Sequence, residues 1–280
     1  MKNNSLIITG ASGFIGSQLM SFIKTLGVPC LGFSRQKNHN NLQWTENYLD
    51  IGSKIDKNQV CIHLAGNNNV NSTDDSEIKI TEYLSDFFGT NLLYISSSYI
   101  YGDNHKSLIT ESDDIGAINK YSRRKICCED AVLKNSGGIL RLSNVYGTGM
   151  ANNIFNHIYK EFMCQNNMVK INNALNIRDF IHVSDVCSAI IAYINDIKPD
   201  IYNISTGKAT SIKDLCDIFA RNLNVSKTEY RIESVTEDNT MLVLDSNKFR
   251  KRYNWKHKID INFGIASWVE DYKRELSNVK

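Results

Sequence analysis

The chain has 280 residues, 42% of them apolar, with 32 basic against 30 acidic side chains. That length and apolar share suit a globular protein with one good core and a smaller second lobe, and they exclude a disordered chain. A net charge of +2 without long basic or acidic blocks leaves no electrostatic footprint for nucleic acid. No apolar run approaches the roughly 20 residues of a membrane span, and the first strand begins by Leu6, too early for a secretory leader. A cytoplasmic protein with no membrane attachment is the expectation. Seven cysteines, an odd number without C-x-x-C pairs, read as small buried hydrophobes, and six histidines show no ligand spacing, so no metal is expected.

In chain order, Leu6-Ile7-Ile8-Thr9 reads as a short strand. Gly10-Ala11-Ser12-Gly13-Phe14-Ile15-Gly16 then sets glycines every third residue before an amphipathic stretch through Phe22 and Ile23. Strand, glycine turn and helix in that order cradle a pyrophosphate: glycine lets backbone N–H groups approach it, and the helix points its positive end at the anion. Gly10, Ser12, Gly13, Phe14, Ile15 and Gly16 are therefore candidate dinucleotide contacts. A second strand, 28–33, ends in Ser34-Arg35, where such folds read the adenosine ribose. No acid stands there to bind the 2′-OH of NAD. A hydroxyl and an arginine suit the 2′-phosphate of NADP, so NADP(H) is favoured over NAD(H); the plain alternative for Arg35 is a solvated loop residue.

Residues 92–102 form an apolar, β-forming run that ends in Ser96-Ser97-Ser98. A serine at the carboxyl end of a central parallel strand faces the crevice and can hydrogen-bond an oxygen on which charge develops; serines at strand ends also serve simply as turn formers. Tyr121 and Lys125 lie four apart, on one helical face. A tyrosine with its ordinary pKa of about 10 is a poor proton carrier at neutral pH unless a cation stabilises the phenolate, and Lys125 offers one. Surface helices carry the same spacing by chance, so the pair gains its meaning from the motifs around it. Strands and helices alternate from 6 to about 147, which predicts a Rossmann-type doubly wound parallel α/β sheet. Helices are expected at 154–164, 184–194 and 212–223. The division this implies is a dinucleotide-binding domain at 1–147 and a smaller substrate-binding lobe at 148–280.

Together these residues resemble the extended short-chain dehydrogenase/reductase family, in its NAD(P)-dependent group of nucleotide-sugar epimerases, dehydratases and ketoreductases. The resemblance runs almost end to end. Residues 9–16 are similar to the family's cofactor turn, and His63-Leu64-Ala65-Gly66 to the motif closing its fourth strand. Ser97 falls at the catalytic hydroxyl position, with Ser98 as its nearest rival. Residues 141–147 resemble a strand whose asparagine, here Asn144, contacts the nucleotide diphosphate; 178–186 resemble a segment whose arginine, here Arg178, pairs with a substrate phosphate, and part of 178–205 would pack back on the first domain. By resemblance Ser97, Tyr121 and Lys125 are catalytic. Leu64, Ala65 and Gly66 are further cofactor contacts, Asp50 and Ile51 contacts to adenine, and Asn67, Ser97, Ser98, Asn144 and Arg178 contacts to the sugar nucleotide. A homodimer is implied.

Departures from the family choose among its reactions. Dehydratases follow the catalytic hydroxyl with Asp-Glu, where this chain has Ser98-Tyr99; epimerases commonly end the second strand in an acid, where it has Ser34-Arg35. The expected activity is NADP(H)-dependent reduction of a nucleotide-linked keto sugar, a 4-keto-6-deoxy hexose. An NAD-dependent nucleotide-sugar 4-epimerase is the alternative, and a catalytically idle dinucleotide-gated binding protein on the same fold is a remote one. The family's asparagine in the helix before Asn91 is missing. So is its arginine ahead of Asp238, where Val235 and Thr236 stand; Arg231 is the candidate substitute.

Overall fold

Leu6–Thr9, all four side chains buried, form β1, a strand covered on both faces as parallel strands are. The chain is described by a computed structural model over residues 5–37, 42–102, 105, 107–150, 153–164, 168–234 and 240–278. α1 (Phe14–Thr25) follows β1 and turns Leu19 and Ile23 into the core. It stops at Gly27, whose φ of 65° lets its own N–H bond the Lys24 carbonyl at 3.1 Å and the Val28 N–H the Ile23 carbonyl at 3.4 Å. That reversal delivers the chain to β2 (Cys30–Ser34), which runs parallel to β1.

The elements that follow are β3 (Gln43–Trp44), β4 (Cys61–His63), α2 (Ser76–Phe88), β5 (Leu92–Ser97), α3 (Lys120–Lys134), β6 (Gly138–Leu142) and β7 (Asn144–Tyr146). Beyond them come α4 (Ile154–Met163), β8 (Met168–Ile171), β9 (Ile177–Arg178), β10 (Phe180–His182), α5 (Val183–Asn195) and β11 (Ile201–Ile204). The last are β12 (Thr210–Ser211), α6 (Ile212–Asn222), β13 (Arg231–Ser234), β14 (Met241–Leu242), α7 (Asn247–Tyr253) and α8 (Ile261–Asn278).

Seven strands build the central sheet in the order β11-β6-β5-β4-β1-β2-β3, every pairing parallel. This is the doubly wound Rossmann-type sheet that the alternation predicts. The chain leaves β1 towards β2 on one side and returns to β4 on the other, so the switch point between β1 and β4 opens a crevice at their carboxyl ends. One face of the sheet is covered by α1 and α5, whose Leu19, Ile23, Val186 and Ile190 pack with Ile8, Ile62 and Leu93. The other is covered by α2 and α3 through Ile80, Leu84, Cys128 and Val132. α5 and β11 thus belong to the sheet's own layers although they follow β7 by many residues. A separate core joins α4, α6 and α8 around Phe155, Phe219 and Trp268, and Tyr146 at the end of β7 stacks on Phe155 with ring centroids 4.8 Å apart. Val235, Thr236 and Asp238 lie outside the described residues.

Candidate functional site

At the switch point the backbone itself makes the cradle. Gly10 has a φ of 69°, and a Cβ there would stand 2.7 Å from the Ala65 nitrogen; a Cβ on Gly16 would stand 2.2 Å from the Gly10 carbonyl oxygen. The turn, the start of α1 and the exit from β4 therefore pack main chain to main chain. α1 begins at Gly13 with no side-chain cap and no acid in its first turn, which leaves its positive end for an anion. Gly13 is exposed and Ser12, Phe14 and Ile15 are half-buried around it. This donor set fits the pyrophosphate of a dinucleotide.

The residues expected at the adenosine end have different surroundings. Ser34 is fully buried, its hydroxyl bonded to that of Ser12 at 2.7 Å and accepting from the Gln36 N–H at 3.0 Å. It ties the glycine turn to the end of β2, so its hydroxyl is already engaged within the fold, whereas Arg35 beside it is exposed with its guanidinium 5.8 Å from the Tyr48 ring centroid. Tyr48, which sequence reading missed, accepts the Gly10 N–H at 3.1 Å and is held against the Phe33 carbonyl at 3.4 Å. Of the adenine pair, Asp50 is exposed, whereas Ile51 is wholly buried in the core and its side chain is closed to a ligand.

The proton-transfer candidates stand on β5 and α3. Asn119 caps α3 by accepting from the Ser122 N–H at 2.8 Å while the Ser122 hydroxyl accepts from the Asn119 N–H at 3.1 Å. This reciprocal box sets Tyr121 in the first turn and Lys125 one turn on, with the Lys125 ammonium 5.8 Å from the Tyr121 ring centroid. Tyr121 is half-buried and Lys125 is buried. Ser97, also half-buried, ends β5 and accepts from the Tyr99 N–H at 3.3 Å; the Tyr99 ring meets Tyr121 edge-on at 6.3 Å. Ser98 is buried, so of the two rival hydroxyls Ser97 is the one open to the crevice.

Beneath Lys125 lies a charge that sequence reading did not find. Glu77 on α2 is 3% exposed. Its carboxylate accepts from the Lys125 ammonium at 2.9 Å, from the Tyr94 hydroxyl at 3.0 Å and from the Asn67 N–H at 3.1 Å. Lys125 also donates to the Ile95 carbonyl at 3.2 Å. Burial works against both charges, yet the pair prevails: the Glu77 carboxyl is held below the ordinary carboxylate range chiefly by Lys125, and the Lys125 ammonium is held above its own by Tyr121 and Glu77. The available signal was a glutamate on the same helical stripe as Ile80, Thr81 and Leu84, since a lone acid on a buried face needs a partner.

His63 closes the floor of the site, bonded to the hydroxyl of Thr9 at 2.6 Å and to that of Thr81 at 3.1 Å. Burial pushes its pKa down to about 3. A depressed folded-state value means that stability is whole above the unfolded value of about 6.5 and is lost as pH falls towards 3. Urea unfolding at pH 5 and pH 7 is expected to differ by about 2 kcal/mol through this group. A His63→Asn variant is expected to lose that part of the pH dependence.

The remaining candidates are drawn into structural work of their own. Asn67 donates from its amide to the Ser72 hydroxyl at 2.9 Å and accepts from the Asn69 N–H at 3.0 Å, which shapes the loop beyond Gly66. Leu64 and Ala65 are half-buried, and the Leu64 N–H bonds the Thr9 carbonyl at 3.2 Å. Asn144 and Arg178 sit on either side of Asp179: the Asn144 N–H bonds the Asp179 carbonyl at 2.9 Å, and Arg178 donates to the Thr240 hydroxyl at 2.9 Å and carbonyl at 3.1 Å. Arg231 is exposed on β13. Among the described residues no group of three or more His, Cys, Asp or Glu side chains could hold a metal ion, and no helix is long and apolar enough to cross a membrane.

The model of the NAD dependent epimerase/dehydratase family matches residues 6–205. A putative UDP-glucose 4-epimerase from Methanocaldococcus jannaschii is 26% identical over 96% of this chain and 99% of its own. A GDP-6-deoxy-D-talose 4-dehydrogenase from Aggregatibacter actinomycetemcomitans is 26% identical over 80% of this chain and 83% of its own. Among solved structures, the dTDP-glucose 4,6-dehydratase of Bacillus anthracis in complex with NAD has the same fold, with a TM-score of 0.83 over 98% of each chain at 18% identity. The family match covers the glycine turn, the end of β5, the Tyr121 helix and the strand that returns to the sheet. The chain belongs to the NAD-dependent epimerase/dehydratase family, and is an NAD(P)-dependent oxidoreductase or epimerase.

Proposed function

We propose that this enzyme uses NADPH to reduce the keto group of a nucleotide-linked sugar, a 4-keto-6-deoxy hexose. The observation that carries the reading is the pair of strand ends: β5 is followed by Ser98 and Tyr99 in place of two acids, and β2 is followed by exposed Arg35 in place of one. Dehydratases of the family use the two acids as proton carriers for sugar carbons, and these positions hold no carboxylate. Reduction needs only Ser97, Tyr121 and Lys125. The bound dinucleotide supplies hydride-transfer chemistry. Tyr121 gives its hydroxyl proton to the carbonyl oxygen as charge gathers there, Ser97 hydrogen-bonds the same oxygen, and Lys125 holds the phenol in its working ionisation. Gly10, Ser12, Gly13, Phe14, Ile15, Gly16 and Arg35 hold the dinucleotide, and Asn144 and Arg178 take the diphosphate of the sugar nucleotide. The core around Trp268 forms the lobe that covers the sugar. A cytoplasmic homodimer belongs to this reading and is checked by light scattering of the purified protein.

The deciding experiment titrates the purified protein with NADPH and NADH and records any nicotinamide cofactor that co-purifies. Exchangeable NADPH with nothing retained supports the reductase. Arg35→Ala is then expected to weaken NADPH about tenfold, one charge-assisted hydrogen bond, and to leave NADH within about twofold. Stoichiometric retained NAD would instead favour the 4-epimerase, which the name of the Methanocaldococcus relative supports.

A further inference from the structure

We propose that Glu77 is a positioning residue that sets the ionisation of Tyr121 through Lys125, and that its negative charge, beyond its hydrogen bonds, is what the site requires. This rests on Tyr121 being the proton carrier of the reading above.

Both carboxylate oxygens are acceptors in use: one takes the Tyr94 hydroxyl and the Lys125 ammonium, the other the Asn67 N–H, so a neutral amide, with one oxygen and one NH2, could serve only one of these two sides. Burying an acid has a cost that only a specific partner offsets. Here the partners are Lys125, whose ammonium is 2.9 Å from one carboxylate oxygen, and Arg124, whose Nε is 4.0 Å from the other. Arg124 is itself 1% exposed and spends its terminal donors on the carbonyls of Ser72 at 2.7 Å, Asn67 at 2.9 Å and Asn69 at 3.0 Å. One carboxylate therefore joins the loop beyond Gly66 to the lysine beside Tyr121.

Every titratable group packed around it acts on the same balance. His63 comes from β4, Tyr94 from β5, and Arg124, Lys125, Cys128 and Tyr121 from α3. With Glu77 ionised the two cations carry a single net positive charge. Without it they carry two, and the Tyr121 phenolate is favoured at lower pH. For a reaction in which Tyr121 must hold its proton, Glu77 extends the working range upward in pH.

Tyr121 ionisation is read in the free protein by ultraviolet titration, as the difference between each variant and the same variant carrying Tyr121→Phe. Glu77→Gln is expected to move the tyrosinate transition to lower pH by about one unit or more, from loss of one charge at an effective dielectric of about 20. Reductive turnover should lose its high-pH limb by the same shift, with kcat affected and the KM for the sugar nucleotide unchanged. Glu77→Asp keeps the charge. It is expected to hold the transition within about 0.3 units whatever it does to thermal stability, and it stands in if the glutamine variant fails to fold: an aspartate transition displaced by a full unit would overturn the proposal. A glutamine variant that titrates as wild type would also overturn it. Full turnover by Tyr121→Phe would overturn the functional reading and leave the titration result standing.

Discussion

Tyr121→Phe is expected to lower turnover by about a thousandfold, a barrier increase of about 4 kcal/mol, with the affinity for dinucleotide within about twofold. The substitution removes one oxygen and leaves the ring, so its edge-on contact with Tyr99 and its place in the first turn of α3 are unchanged. Thermal stability should hardly move, because Tyr121 is half-buried and Lys125 keeps its bonds to Glu77 and the Ile95 carbonyl. Steady-state kinetics with the cofactor and a panel of nucleotide-linked keto sugars measure the first effect, and fluorescence titration with NADPH the second. A variant that keeps wild-type turnover would remove Tyr121 from the mechanism. A parallel loss of cofactor affinity would mean that the phenol holds the dinucleotide instead of carrying the proton.

What could be read from the sequence was what is local in the chain. The glycine turn needs only its own seven residues and the strand before it, and the Tyr121 and Lys125 pair needs only the helical repeat. The helices expected at 154–164, 184–194 and 212–223 are present as Ile154–Met163, Val183–Asn195 and Ile212–Asn222, since each carries a strong apolar stripe. The contacts that were not legible join distant segments. Glu77 meets Lys125 across 48 positions, and Tyr48 reaches the Gly10 turn across 38. A hydroxyl at a strand end such as Ser34 is ambiguous in sequence; only the packing of the turn against β2 shows it bonded to Ser12. The edge strand β3 is two residues long, too short for any periodicity to mark it.

Glu129→Gln is expected to destabilise the protein by about 3–5 kcal/mol, because it leaves the buried Arg141 guanidinium without its counter-charge. Arg141 donates to the two Glu129 oxygens at 2.7 and 3.1 Å, and both side chains are under 5% exposed. The same guanidinium donates to the Tyr101 hydroxyl at 2.7 Å, which donates to the Asn203 side chain at 2.9 Å, so α3, β6, β11 and the turn after β5 meet on one polar chain. Glu129 lies one turn beyond Lys125. α3 is therefore held by two buried ion pairs in succession, one to α2 and one to the sheet, and the second keeps the helix that carries Tyr121 seated on β6, the neighbour of the strand that carries Ser97. Urea unfolding checks the energy. The Glu129→Leu, Arg141→Met double variant is expected to recover most of it, since a matched apolar pair removes both charges together. Recovery of stability without recovery of turnover would show that this pair orients α3 for catalysis as well as holding it down.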